Sequence, residues 1–185
     1  MGKVAFGLSV SLDGFIADPQ GDPSLVFAWM GPDMEHFFAV AGEALESNGA
    51  VIMGHRSFDQ IDGDQGWVLP TGAPIAVAVV VLQSQPRAPV TKAHTSYYFV
   101  TEGIERAVAL ARELAGEKDV ALHGASAVQQ ALHAGLLDEM HLSIAHVLLG
   151  AGVRLFDHLA GPIPLEHLGT RETPGATHLA FRVVK

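Results

Sequence analysis

Cysteine is missing from this chain. Disulfides, thiolate nucleophiles and cysteine-bound zinc are thereby excluded. Charge is also sparse. Charged residues make up 17% of the 185 and hydrophobic ones 49%, a balance that buries a core and excludes a disordered chain. Cations are the scarcer sign. With 11 Lys and Arg against 20 Asp and Glu, the net charge of −9 argues against nucleic acid or an anionic membrane surface as partner. Any anion held here must be gripped by a local cluster working against that field. No long apolar run occurs. The longest, Ala73 to Leu82, contains Pro74 and is too short to cross a bilayer. The stretch Met1-Gly2-Lys3-Val4-Ala5-Phe6 shows no signal-peptide pattern, so a cytoplasmic protein is the expectation. A P-loop, a Gly-x-Ser-x-Gly elbow and a His-Glu-x-x-His zinc motif are absent too. The ten histidines therefore suggest structural or surface roles and no metal site. His141 and His146 stand an odd number apart on one expected strand, which points them to opposite faces.

The patterns that are present alternate strand with helix. Lys3 to Val10 reads as a strand, followed by a long Gly-, Asp- and Pro-rich loop from Ser11 to Pro32. Asp33 is an N-cap candidate for a helix to about Ser47, with Phe37, Phe38, Ala41, Ala44 and Leu45 on its apolar face. Strands are expected at Ala50–Met53, Ile75–Leu82, Tyr97–Val100, Asp119–Leu122 and Met140–Leu149. Helices are expected at His55–Gln60, Glu102–Ala115 capped by Thr101, and from Ala125 to about His133, where Gly135 stops the last. Two terminal strands, Leu165–Glu172 and His178–Val184, flank the turn signal Thr173-Pro174-Gly175-Ala176. No repeat or linker divides the chain. The expectation is a single α/β domain over residues 1–185, with a mainly parallel sheet and an antiparallel C-terminal hairpin.

The densest chemical signal is Ala50-Val51-Ile52-Met53-Gly54-His55-Arg56-Ser57. A buried strand ends in glycine, and basic residues and a serine open a helix. Such a junction offers unpaired N–H donors and a guanidinium fork suited to phosphate. It also fits an ordinary turn whose basic residues face water. Two more polar turns follow strands, Gln83-Ser84-Gln85 and His123-Gly124-Ala125-Ser126. In an open α/β sheet the carboxyl ends of the strands form the ligand crevice, so three such turns favour a nucleotide or dinucleotide site. Gly150-Ala151-Gly152 lacks the third glycine of a dinucleotide fingerprint and reads as a structural turn. Two carboxylates stand out as candidates, Asp13 in the first loop and Asp33. Asp13 also fits a plain turn residue and Asp33 a plain cap. Trp29 is a candidate apolar wall beside Asp33.

Read together, several blocks carry a family resemblance. They are Ser11-Leu12-Asp13-Gly14-Phe15-Ile16-Ala17, Val51 to Phe58, Phe99 to Ile104, Gly124-Ala125-Ser126 with Ala131 to Leu142, and Val147 to Phe156. In this order they resemble the dihydrofolate reductase-like superfamily, specifically its RibD C-terminal reductase branch. The resemblance implies an NADPH-dependent reductase acting on a small polar heterocycle, and a homodimer. A ribosylaminopyrimidine-type substrate of riboflavin biosynthesis and a pterin are the competing substrate classes; a non-catalytic nucleotide-binding protein is a third reading. It implies cofactor contacts at Gly54, His55, Arg56 and Ser57, at Gln83 and Ser84, at Thr101, and at Gly124, Ala125 and Ser126, with Ile16 beside the nicotinamide. Asp33 inherits the role of the catalytic, substrate-binding acid, with Asp13 and Trp29 as further substrate contacts. Two positions depart from the pattern: His123 stands where the family usually has Gly, and His146 where it usually has Pro. A side chain at 123 is expected to crowd the glycine peptide at the cofactor turn.

Overall fold

The computed structural model describes residues 2–31, 33–35, 38, 42, 46–61, 63–68, 74–157 and 159–185. Its centre is a sheet of nine strands. In chain order these are β1 (Val4–Ser11), β3 (Asn48–Gly54), β4 (Ala78–Leu82), β5 (Val90–Lys92), β6 (Thr95–Val100), β7 (Asp119–His123), β8 (Glu139–Ala145), β10 (Leu165–Glu172) and β11 (Ala176–Val183). A small separate sheet pairs β2 (Phe15–Ala17) with β9 (Val153–Arg154). The spatial order of the large sheet is β10-β11-β8-β1-β7-β3-β4-β6-β5. The six strands from β8 to β6 run parallel; β11, β10 and β5 are antiparallel to their neighbours. The expected α/β class, with its parallel centre and antiparallel C-terminal hairpin, is the observed one.

The described helices are α1 (Ser24–Phe27), α2 (His55–Ile61), α3 (Ile104–Ala115) and α4 (Ala125–His133), with a 3-10 turn at Ala28–Met30. Helix α3 buries Ile104, Ala107, Val108, Ala111 and Ala115, the stripe that a three-to-four-residue spacing puts on one face. Together α3 and α4 cover β3, β4 and β7. On that face Val4, Phe6, Val10, Ile52, Val80 and Leu82 join the helices in the main core. Alternate residues of the central strands, Val51, Met53, Val79 and Val81, point the other way and pack with Phe58 of α2 and Tyr97. Being buried on both faces is what makes β3 and β4 read as unbroken apolar runs. Among the described residues, no helix is long and apolar enough to cross a membrane.

Several element boundaries differ from the sequence reading. The strand expected from Ile75 begins at Ala78, because Ile75 turns aside to donate its N–H to the Trp67 carbonyl (2.8 Å). The strand expected to reach Leu149 stops at Ala145. Helix α3 is capped by Gly103 and not by Thr101, whose backbone N–H binds the Glu102 carboxylate at 2.8 Å. The Ser11–Pro32 segment holds β2, α1 and the 3-10 turn. Strand β5 was not foreseen. It joins β6 through a two-residue turn, Ala93-His94, in which Ala93 takes φ 48° without the usual glycine or asparagine signal. Most of the expected Asp33–Ser47 helix, including Phe37, Ala41, Ala44 and Leu45, lies outside the described residues. At the far edge, β10 is mostly exposed, and its pairing with β11 shifts register between His167 and Gly169.

Phe58 anchors the second face. Its ring meets Tyr97 and Phe99 edge-on at 5.2 and 5.4 Å, and the Arg87 guanidinium lies over Phe99 at 4.7 Å. Phe58→Ala is expected to cost ~3–5 kcal/mol, the usual penalty for emptying a buried aromatic site, measured as a fall in the urea-unfolding midpoint.

Candidate active site

The carboxyl ends of β7, β3, β4 and β6 lie side by side because their registers are level. Met53 pairs with His123, Gly54 with Leu82, and Leu82 with Val100. Whatever follows each strand therefore collects along one rim. Gly124 follows β7 and caps α4 with φ 84°, a conformation that disfavours side chains. A Cβ there would lie 2.6 Å from Ser57 Oγ. A Cβ on Gly54 would meet Ser126 at 3.7 Å. Thus Gly54, Ser57, Gly124 and Ser126 converge from two strand–helix junctions. Ala125 is buried just behind them. Gln83 is pinned to the neighbouring strand end by its N–H bond to the Val100 carbonyl (3.0 Å), which sets Ser84 and Thr101 on the same rim. Arg56 is exposed. His55 is drawn along its own helix to Asp59 at 3.1 Å.

His123 does not crowd this rim. Its ring packs edge-on against Trp67 at 5.4 Å, on the face lined by Ala121 and Phe58. Its Nδ1 is buried with no hydrogen-bond partner among the described residues. Burial also pushes its pKa down, keeping the ring neutral.

A second group gathers where β1, β8 and β11 meet. Trp29 is buried with Val26, Ala145 and Ala176. Its indole N–H donates to Ser9 Oγ at 3.0 Å. Asp33 is buried beside it, and Oδ2 accepts the N–H of Gly175 at 3.1 Å. No second hydrogen bond engages Oδ1 among the described residues. Gly175 has to be small, since a Cβ there would lie 2.7 Å from Trp29 Cβ. The tip of the C-terminal hairpin is thereby fastened onto the Trp29–Asp33 segment. His178 stacks edge-on against Trp29 at 5.0 Å and binds Ser143 Oγ through Nδ1 at 2.9 Å. Ser9, Ser143, Thr173 and His178 escaped the sequence reading. On the strands they show only as polar residues among apolar ones, and Thr173 reads only as part of the turn signal.

Asp13 occupies a different position. Its Oδ1 accepts from Ser11 Oγ at 2.6 Å and from the Leu149 N–H at 3.1 Å, and Oδ2 accepts the Gly150 N–H at 2.7 Å. The loop before β2 is thereby tied to the loop before β9. The Ser11 hydroxyl, more than the backbone donors, draws the carboxyl pKa down to about 2. Ile16, on β2, packs half-buried against the main core.

Fold and crevice together define an α/β domain of the dihydrofolate reductase type. The RibD C-terminal domain model matches residues 3–178, and the chain belongs to that family. Among solved structures, a Shewanella sp. PV-4 protein provisionally assigned to riboflavin biosynthesis is similar at TM-score 0.78 and 22% identity, with 100% of both chains covered. The Thermotoga maritima diaminohydroxyphosphoribosylaminopyrimidine deaminase/5-amino-6-(5-phosphoribosylamino)uracil reductase follows at TM-score 0.71 and 15% identity. The alignment covers 99% of this chain and 57% of that one. Enterococcus faecalis dihydrofolate reductase, solved with NADP(H), is similar at TM-score 0.63 and 15% identity over 100% of this chain and 98% of that one. No curated protein matches the sequence.

The Asp13 clamp has a pH signature. Its folded pKa of about 2 lies below the ordinary 3.8, so its contribution is present above about pH 4 and is lost as pH falls toward 2. Asp13→Asn is expected to lower the melting temperature at neutral pH and to flatten the acid limb of the stability curve in that window. An unchanged limb in thermal melts would remove Asp13 from the clamp.

Proposed function

We propose that this protein is an NADPH-dependent reductase of a small polar heterocycle of the ribosylaminopyrimidine type. The observation that carries the reading is the Gly124–Ser57 contact, a cradle that a single Cβ would fill, at the meeting of two strand–helix junctions. Backbone and hydroxyl donors there suit a pyrophosphate. Gly54, Ser57, Gly124, Ala125 and Ser126 would hold it, with His55 flanking. Arg56 and Ser84 each stand two residues past a directly paired position on β3 and β4, so both suit the 2′-phosphate, and Gln83 and Thr101 the adenosine. Ile16 would lie by the nicotinamide. When bound, the cofactor supplies hydride, and the protein's share is to bind, orient and exclude water. Asp33 Oδ1 would anchor N–H groups of the heterocycle, Trp29 would wall the pocket, and Asp13 would hold the loops around it.

A homodimer completes the proposal. Helices α3 and α4 leave β8, β11 and β10 without cover, and Leu142, Ile144, Leu179, Phe181 and Val183 stay half-buried there. A second copy would cover that face. Light scattering at micromolar protein should return twice the 19.5 kDa chain mass; the single-chain mass would end this part.

Two substitutions test the cofactor site. NADPH should bind more tightly than NADH, and Arg56→Ala should reduce the difference by about tenfold, the worth of one charge-assisted contact of ~1.5 kcal/mol. Gly124→Val should abolish binding of both while His123→Gly leaves it intact. Equal NADPH and NADH affinities in the parent protein, read by fluorescence titration, would refute the assignment.

A further inference from the structure

Three strands present polar side chains in one row on the sheet face under Trp29. Ser9 of β1 is paired with Ser143 of β8, and Ser143 with His178 of β11. Trp29 lies over the row, touching both its ends. Ser9 is buried, and Ser143 and His178 are half-buried. The ladder pairing alone would tolerate apolar residues here, and neighbouring positions on the same face, Ala145 and Ala176, are apolar.

Hydrogen bonds engage the His178 ring at both nitrogens. Thr173 Oγ1 spends its one proton on the Ala176 carbonyl, at 3.2 Å. With its proton placed there, it accepts from His178 Nε2, 3.1 Å away. Nε2 carries the hydrogen, so in the neutral ring Nδ1 is bare and accepts from the Ser143 hydroxyl. A second proton can enter only at Nδ1. Ser143 must then reverse: its oxygen accepts from Nδ1–H, and its own proton turns outward. In this tautomer the ring, held by Thr173 of the hairpin turn, can load the Ser143 hydroxyl.

We propose that Ser143 is the proton donor to the substrate and that His178 is the positioning residue that reloads it. The inference rests on the reductase reading above. Hydride addition to a C=N or C=O carbon leaves an electron pair on the nitrogen or oxygen. That atom takes the Ser143 hydroxyl proton as the O–H bond breaks. Ser143 Oγ takes the Nδ1 proton of the imidazolium, and the now neutral ring is reprotonated from water. Hydride and proton together balance the reduction. The competent form is the imidazolium, so turnover is high below the His178 midpoint and falls as pH rises through it. The titratable groups placed around the ring are Asp33, fastened to the same turn through Gly175, Arg171, paired with His178 on β10, and His141, two residues from Ser143.

The test follows NADPH oxidation against aminopyrimidine ribosides, pterins and small carbonyls over a range of pH. The parent's log kcat should fall with unit slope on the alkaline side. His178→Gln and Ser143→Ala should lower kcat by ~10²-fold below the midpoint, with KM and NADPH affinity little changed, and His178→Gln should lose the alkaline limb. Ser143→Thr, which keeps the hydroxyl, should restore most of the rate. Turnover whose pH profile is unchanged in His178→Gln overturns the relay and leaves the reductase. No turnover in the parent overturns both. A measurement independent of turnover reads the ring itself: in ¹⁵N-histidine NMR, His178 should be the Nε2–H tautomer at high pH. The Nδ1–H tautomer would overturn the relay even if a variant fails to fold.

Discussion

Parallel register is the constraint on which the rest of this molecule depends. Ala5 to Ser11 pair one for one with Glu139 to Ala145, and β7, β3, β4 and β6 continue in parallel register, with one shift between Asn48 and Ala50 before the strand ends come level. Because side chains alternate along each strand, that register decides which residues share a row. A slip by one residue would turn Ser9, Ser143 and His178 to opposite faces and break the polar row under Trp29. It would also stagger the strand ends, so that Gly124 no longer met Ser57. Site and fold are therefore specified by the same hydrogen bonds.

The core makes that register costly to lose. Val51, Met53, Val79 and Val81 on one face, and Ala50, Ile52, Val80 and Leu82 on the other, are all buried. A slipped alignment would have to repack these side chains on both faces at once. The two carboxylates then serve as ties between parts distant in sequence. Asp33 holds residue 175, and Asp13 holds residues 149 and 150. In both cases backbone N–H groups of turns are among the donors. The turns around the site are thus positioned by charge-assisted hydrogen bonds, and the strands beneath by apolar burial.

Much of this was legible in the sequence, for physical reasons that can be named. The parallel strands β3 and β4 announce themselves as apolar runs, and α3 by its stripe. The convergence of Gly54, Ser57, Gly124 and Ser126 was readable as polar, glycine-bearing turns at the ends of neighbouring strands, although each turn alone also fitted an ordinary strand–helix connection. The Ser9–Ser143–His178 row was not. Ser9 lies more than a hundred residues from the other two, Ser143 and His178 are 35 apart, and only the β1–β8–β11 pairing brings the three together. Asp13 reads as an ordinary turn residue because its partners, the N–H groups of Leu149 and Gly150, leave no mark on side-chain identity. His123 was expected to obstruct the cofactor turn. Strand alternation instead sends its ring to the Trp67 side.

Strand β10 carries a consequence for how the protein behaves in a crowded solution. An eight-residue exposed strand at the rim of a sheet is a template for another chain to add to, and long flat edges seed polymers. Here the template is broken. The register shift between His167 and Gly169 interrupts the row of hydrogen-bonding groups. Glu166, Arg171 and Glu172 require an incoming strand to bury or match charge. Arg182 on the next strand holds Glu166 at 2.7 Å, so that charge stays at the edge. The hairpin that closes over the candidate site thus carries its own protection against runaway strand addition.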